Sequence, residues 1–180
     1  MSFCLCPPRM IINGLQLERV EQFRYLGSLI SANTSCEKDI LSRIGFAQAS
    51  FQRLFTGLFS REGISINTKM RVYLALIRTV LLYGCESWNI TAALACTLDS
   101  CEMTFLRRIL GVSKFFHLPN TAVRGLCHIK DSISLVTKRC RLTWLGHVLR
   151  MNSDRIPQKN FCSSVLTLAA STRSTLSNVG

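Results

Sequence analysis

The stretch that decides the class of fold runs from residue 37 to residue 59 and reads EKDILSRIGFAQASFQRLFTGLF. Its apolar side chains recur three or four positions apart, at Ile40, Leu41, Ile44, Ala47, Phe51, Leu54 and Phe55. This spacing is close to the period of an α-helix, so it predicts one long amphipathic helix over residues 37–59. Charged and amide side chains fall between the apolar positions, and we expect them on the solvent side; they are Lys38, Arg43, Gln48 and Arg53.

Further helical segments follow this stretch. Residues 67–83 and 92–110 repeat the same spacing, and Gly84 stands where the first of the two should end. Residues 112–131 are interrupted by proline and glycine, which predicts a loop, a short helix and a turn. Residues 135–151 predict a final, basic helix.

The segment before the long helix has a different pattern. Residues 11–32 contain short apolar runs around Asn13-Gly14, a dipeptide that favours a tight turn because both positions tolerate positive φ. We expect two or three short strands there, arranged as a β-hairpin. Residues 1–10, with a Pro-Pro pair, predict a ragged start, and the Ser- and Thr-rich residues 159–180 predict a disordered tail.

The predicted fold class is therefore mainly α. A short N-terminal β-hairpin at residues 11–32 precedes a helical bundle at residues 33–111, and a basic C-terminal helical region follows at residues 112–158. The hydrophobic content of 48% suffices for a buried core, and the charged content of 18% is too low for a disordered polyelectrolyte.

The charge of the chain indicates its class of partner. Its 22 Lys and Arg against 10 Asp and Glu give a formal charge of +12. Such an excess attracts polyanions, so nucleic acid is the first expected partner and an anionic membrane surface the second.

Neither a membrane span nor export is predicted. The most apolar segment, residues 72–88, is interrupted by Arg78 and Glu86, which excludes a transmembrane helix. The first residues lack the basic start and apolar run of a secretory signal. The nine cysteines are odd in number and irregularly spaced, which is typical of reduced thiols. We expect an intracellular location.

Motifs for catalysis are missing from the sequence. Its four aspartates are neither adjacent nor suitably spaced for a two-metal centre, and no Gly-rich phosphate loop is present. A zinc set of Cys96, Cys101, His117 and Cys127 has intervals that match no compact zinc motif. We expect the isolated chain to be no enzyme, and to need no cofactor and no metal.

The basic residues are a stronger signal. From residue 103 to residue 159 the chain has eleven Lys and Arg against two Asp, a net charge of +9. The candidates for binding phosphate are Arg107, Arg108, Lys138, Arg139 and Arg141. Trp144 follows on the same predicted helix; it is suited to stacking on a base, but a large aromatic is more often buried, and we expect it in the core.

Several strings together resemble one family. In chain order they are FRYLGSLIS at 23–31, ISINTKMRVY at 64–73, LLYGCESW at 81–88, LRRILG at 106–111 and RLTWLGHVLRM at 141–151. They resemble the region beyond the palm of LINE-like (non-LTR) retrotransposon reverse transcriptases, which are RNA-directed DNA polymerases often joined to an endonuclease. The resemblance covers residues 11–158.

This resemblance implies a division of roles. Residues 11–32 correspond to the hairpin that supports the primer end, and residues 33–111 to the thumb that grips the template-primer duplex. The partner implied is RNA or an RNA/DNA duplex, held through its phosphates by the five basic residues, in the nucleus and cytoplasm. The family's palm carboxylates would precede residue 11 and no adjacent Asp pair occurs here, so we expect a truncated copy without catalytic activity.

Two other interpretations stay open at this point. The apolar content also suits a helical module that docks on a protein partner, and the pattern is equally compatible with a genomic relic without function.

Overall fold

The computed structural model describes residues 10–18, 20–32, 35–112 and 118–160. Two short antiparallel strand pairs are followed by helices, which confirms the predicted, mainly α fold class. The strands are β1 (Ile11–Ile12), β2 (Leu15–Gln16), β3 (Gln22–Tyr25) and β4 (Ser28–Ser31). The helices are α1 (Glu37–Leu54), α2 (Ile66–Val72), α3 (Thr79–Leu81), α4 (Ala92–Leu110), α5 (Asn120–Leu126) and α6 (Ile133–Leu149). The predicted ragged start and disordered tail lie almost wholly outside the described residues.

The strands form two separate hairpins, β1 with β2 and β3 with β4. Asn13-Gly14 makes the first turn with φ of 52° and 79°, as predicted, and Leu26-Gly27 makes the second with φ of 47° and 85°. The predicted N-terminal β-hairpin is therefore present, but four strands form two hairpins where two or three strands in one hairpin were expected. The strand count was too low because Leu26 adopts a left-handed conformation that its residue type does not indicate.

The stretch at residues 37–59 is helical throughout, as predicted. α1 continues into a π-helical segment at Phe55–Phe59. Its apolar face forms the centre of the core, where the ring of Phe51 stacks on that of Phe59 with centroids 4.9 Å apart. The Phe51 ring also lies 4.8 Å from that of Phe105 in α4, so α1 and α4 share one aromatic core.

Asp39 joins the second hairpin to the helices. Its Oδ1 accepts the backbone N–H of Leu29 at 2.8 Å, and its Oδ2 accepts the indole N–H of Trp88 at 2.9 Å. The buried Arg43, one turn along α1, has its Nε 3.9 Å from Oδ1 and donates to the carbonyl of Gly27. The prediction that Arg43 lies on the solvent side is therefore wrong, because the hairpin folds over that side of α1.

The next two predicted helices are present. The first runs through α2, a π-helical segment at Tyr73–Arg78, and α3, so it begins one residue before the predicted start and ends two before the predicted end. α4 has the predicted bounds; the Thr91 side chain caps its start, and Gly111, at φ 69°, ends it. No helix in the described part of the chain is both long and apolar enough to cross a bilayer.

The start of α6 is fixed by two carboxylates of α4. The fully buried Glu102 accepts the N–H of Ile133 at 3.2 Å, and Asp99 accepts the N–H and the hydroxyl of Ser134 at 3.0 and 2.7 Å. Negative side chains stabilise a helix N-terminus because its first N–H groups point at them. Ser132 caps the helix, which therefore begins two residues before the predicted start and ends at Leu149 rather than at residue 151.

Two guanidinium groups face the Glu102 carboxylate. Nη2 of Arg78 lies 3.3 Å from Oε1, and Nη2 of Arg124 lies 3.9 Å from Oε2. Burial raises the pKa of Glu102 above its usual range, and the two arginines oppose this effect. Through Arg78, Glu102 and Arg124, this cluster connects the π-helical segment at Tyr73–Arg78, α4 and α5 to the start of α6. It therefore fixes the position of α6, the helix that carries three of the predicted basic residues.

Candidate nucleic-acid interface

One face of α6 forms an open groove of about 680 Å³, called here the α6 groove. Its lining includes Lys138, Arg141, Leu142 and Trp144 of α6, and Glu86 from the turn before α4. Lys138, Arg141 and Trp144 are each three residues apart, which places them along one side of a helix. The groove therefore combines two exposed cations with an aromatic ring.

Trp144 is not a core residue. Its side chain is 47% exposed, and its ring centroid lies 5.4 Å from that of His147. The prediction that Trp144 lies in the core is therefore wrong. The tryptophan shares a face of α6 with the buried Val148, but the elements packed on α6 leave about half of its ring open to solvent.

Arg139, also on α6, has a different environment. It is exposed, and its Nη2 lies 2.7 Å from Oδ2 of Asp131, in the turn before the helix. Arg139 does not line the α6 groove. The pair leaves Arg139 accessible, since its side chain is 64% exposed, although its charge is already partly compensated by Asp131.

Arg107 and Arg108, in the last turn of α4, hold parts of the fold together. Arg107 donates to the carbonyl of Leu118 at 2.9 Å and to Oδ1 of Asn120 at 2.8 Å, which ties α4 to the start of α5. Arg108 donates to Gln52 Oε1 at 3.1 Å, and its guanidinium lies 4.3 Å from the centroid of the Phe55 ring. Both side chains have structural partners and neither lines the α6 groove.

The structure thus brings together only part of the predicted set. Lys138 and Arg141 share the α6 groove, whereas Arg107, Arg108 and Arg139 make other contacts. Glu86 was not predicted as a site residue, and no sequence signal could have found it, because it is distant from α6 along the chain. Phosphate binding by the five basic residues stays a prediction.

The described part of the chain includes three of the four residues tested as a zinc set on sequence grounds. Cys96 is exposed and Cys127 is buried, while His117 lies outside the described residues. Burial raises the pKa of Cys101 and of Cys127 to about 11. Both thiols are therefore protonated at neutral pH as long as no metal is bound.

Comparison with known proteins gives one informative match. The chain is 28% identical over 146 residues to an uncharacterized protein of Caenorhabditis elegans described as transposon-derived. The match covers 78% of the chain and 50% of that protein, so the chain spans about half the length of its relative. No family model matches the chain, and no solved structure matches it. The sequence is therefore similar to that of a transposon-derived protein.

Proposed function

We propose that the chain binds RNA or an RNA/DNA duplex through its phosphates, as the thumb region of a retrotransposon reverse transcriptase does. The observation that carries the proposal is the α6 groove, where the exposed Lys138 and Arg141 lie about two turns and one turn before the half-exposed Trp144 on the same side of the helix. Cations bind phosphate without regard to sequence, and an aromatic ring offers a surface on which any base can stack.

The charge distribution supports the same proposal. The net charge of +9 between residues 103 and 159 concentrates most of the +12 excess in the part of the chain that carries α6. Asp131, the nearest acidic residue before α6, is already paired with Arg139. The long-range field should therefore steer a polyanion toward this end of the molecule.

The match to a transposon-derived protein supports descent from a transposon, and its description names no catalysed reaction. Derivation of the relative from a transposon agrees with the resemblance of the five strings to LINE-like reverse transcriptases. We propose that the chain holds nucleic acid without performing chemistry on it, since the family's catalytic carboxylates belong to the palm.

The double variant Lys138→Ala/Arg141→Ala tests the proposal. Loss of two phosphate contacts should make the slope of log K against the logarithm of the salt concentration shallower by about 1.8. Binding at about 0.1 M salt should weaken by roughly 50-fold. The measurement is fluorescence anisotropy with a labelled RNA/DNA hybrid over a range of salt concentrations.

A matched control removes the same charge elsewhere. Arg53 in α1 and Arg71 in α2 are also exposed, so Arg53→Ala/Arg71→Ala changes the net charge equally while leaving the α6 groove intact. We expect the slope of log K against the logarithm of the salt concentration to stay within about 0.5 of that of the unmodified chain in this control. Equal losses in the two double variants would show that only net charge matters, and would refute the assignment of the groove.

Trp144→Ala tests the stacking part separately. Loss of the ring should cost about 1–3 kcal/mol of binding to a single strand and leave the salt dependence unchanged, because stacking involves no counterion release. Binding to a duplex, whose bases are already stacked, should change much less. Trp144→Phe keeps an aromatic face and should retain most of the affinity; an affinity as low as that of Trp144→Ala would argue against stacking.

A further inference from the structure

Three metal-ligating side chains converge beside the α6 groove. The Sγ atoms of Cys85 and Cys140 and a carboxylate oxygen of Glu86 all lie within 4.8 Å of one another. Both cysteines are free thiols. The cluster is distinct from the zinc set tested on sequence grounds, with which it shares no residue.

A left-handed glycine brings the three side chains together. Gly84, at φ 75°, turns the chain after α3 into a 3₁₀ turn at Cys85–Ser87, which packs against α6 where Cys140 lies. A Cβ atom at position 84 would lie 2.9 Å from Oγ of Ser28, so both the conformation and the space favour glycine. The tight turn lets two consecutive side chains, those of Cys85 and Glu86, approach the same point.

The burial of the cluster is graded. Cys85 is 1% exposed, Cys140 is partly buried and Glu86 is exposed. An ion at this point would be enclosed on the side of the core and open to water on the side of Glu86. Such an arrangement supplies three protein ligands and leaves room for a water molecule as the fourth.

We propose that Cys85, Glu86 and Cys140 bind a zinc ion, with a water molecule completing a tetrahedral site. Thiolate ligands favour zinc over the hard cations Mg²⁺ and Ca²⁺, and two sulfurs with one carboxylate are within the zinc ligand repertoire. Binding releases the two thiol protons to solvent, and each sulfur then donates an electron pair to the metal. Neither oxidation nor reduction is involved.

The consequence of zinc binding would be a cross-link between two parts of the fold. The ion would connect the turn at Cys85–Ser87 to the middle of α6, and so stabilise the position of Lys138 and Arg141 on that helix. Those two cations line the same groove as Glu86 and oppose a further positive charge, but two thiolates and a carboxylate outweigh the charge of the ion. None of the three proposed zinc ligands is among the residues proposed to bind phosphate, so zinc can bind whether or not the chain binds nucleic acid.

The test uses the full chain, treated with a chelator, reloaded with zinc and freed of excess metal by gel filtration. Zinc per chain is measured together with the cobalt spectrum, in which a sulfur-to-cobalt charge-transfer band reports thiolate ligands. We expect one zinc equivalent that is lost in Cys140→Ser and in Cys85→Ala, with the charge-transfer band lost too. Cys96→Ser is the matched control, because Cys96 is an exposed thiol outside the cluster, and it should keep both.

The comparison between variants is decisive because the chain has nine cysteines and could hold zinc elsewhere. Glu86→Gln should keep the charge-transfer band but bind zinc more weakly, since both sulfurs remain. Zinc should also raise the thermal unfolding midpoint of the unmodified chain and of Cys96→Ser, but not that of Cys140→Ser. The proposal is overturned if the chain binds no zinc, or if folded Cys140→Ser retains the same equivalent.

Discussion

Glu102→Ala should destabilise the protein by about 3–5 kcal/mol, because it removes the carboxylate that faces Arg78 and Arg124 and leaves two largely buried guanidinium groups without it. The N–H of Ile133 at the start of α6 loses its acceptor as well. Urea unfolding followed by circular dichroism measures the change.

The control for this prediction is a salt bridge at the surface. Asp131→Ala removes the partner of Arg139 in a pair whose side chains are 64% and 29% exposed, and should change the free energy of unfolding by only about 0–1 kcal/mol. Similar losses in Glu102→Ala and Asp131→Ala would mean that the buried cluster contributes no more than a surface pair.

Glu102 also predicts a dependence of stability on pH. Since burial raises its pKa in the folded state, the folded protein binds this proton more tightly than the unfolded chain, where the pKa is near 4.5. The free energy of unfolding should therefore fall as the pH rises from about 4.5 through the folded pKa. Glu102→Gln removes this contribution, so the advantage of the unmodified chain over Glu102→Gln should be greatest at low pH. An advantage that grows with pH would show that the two arginines outweigh burial.

Asp39→Ala has the second large expected effect, a loss of about 3–4 kcal/mol. The variant leaves the buried Arg43 without its carboxylate and the indole N–H of Trp88 without an acceptor, and it breaks the bond to Leu29 that holds the β3–β4 hairpin on α1. Hydrogen exchange at the amides of β3 and β4 should accelerate more than exchange in α4, because the hairpin loses its anchor directly.

Glu37→Ala is the matched control for Asp39→Ala. Glu37 is an exposed carboxylate in the same first turn of α1, so its removal costs only its favourable interaction with the helix N-terminus, about 0.3–1 kcal/mol. Uniform acceleration of exchange over the whole protein in Asp39→Ala would argue that Asp39 stabilises the core in general rather than the hairpin in particular.

The sequence predicted most of the local structure. The spacing of apolar residues located α1 and α4, and Asn13-Gly14 located the first hairpin turn, because both signals depend on the neighbouring residues of one segment. The second hairpin was missed because its turn places Leu26 in a left-handed conformation, which leucine rarely adopts, so that Leu26-Gly27 is a weaker signal than Asn13-Gly14. The sequence identified the five basic residues as one group by their charge. It did not predict that only two of them, Lys138 and Arg141, line the same groove.

What the sequence by itself determined is therefore the mainly α class, the positions of the helices and the concentration of positive charge toward the C-terminal part. Only the tertiary structure decided which charged groups are buried and which face solvent. It buried Arg43 and Glu102 by giving each an oppositely charged partner, left Trp144 half exposed, and placed Cys85, Glu86 and Cys140 together. The physical reason is that local spacing sets a helix and its faces, whereas the burial of a polar or aromatic side chain depends on partners from distant parts of the chain.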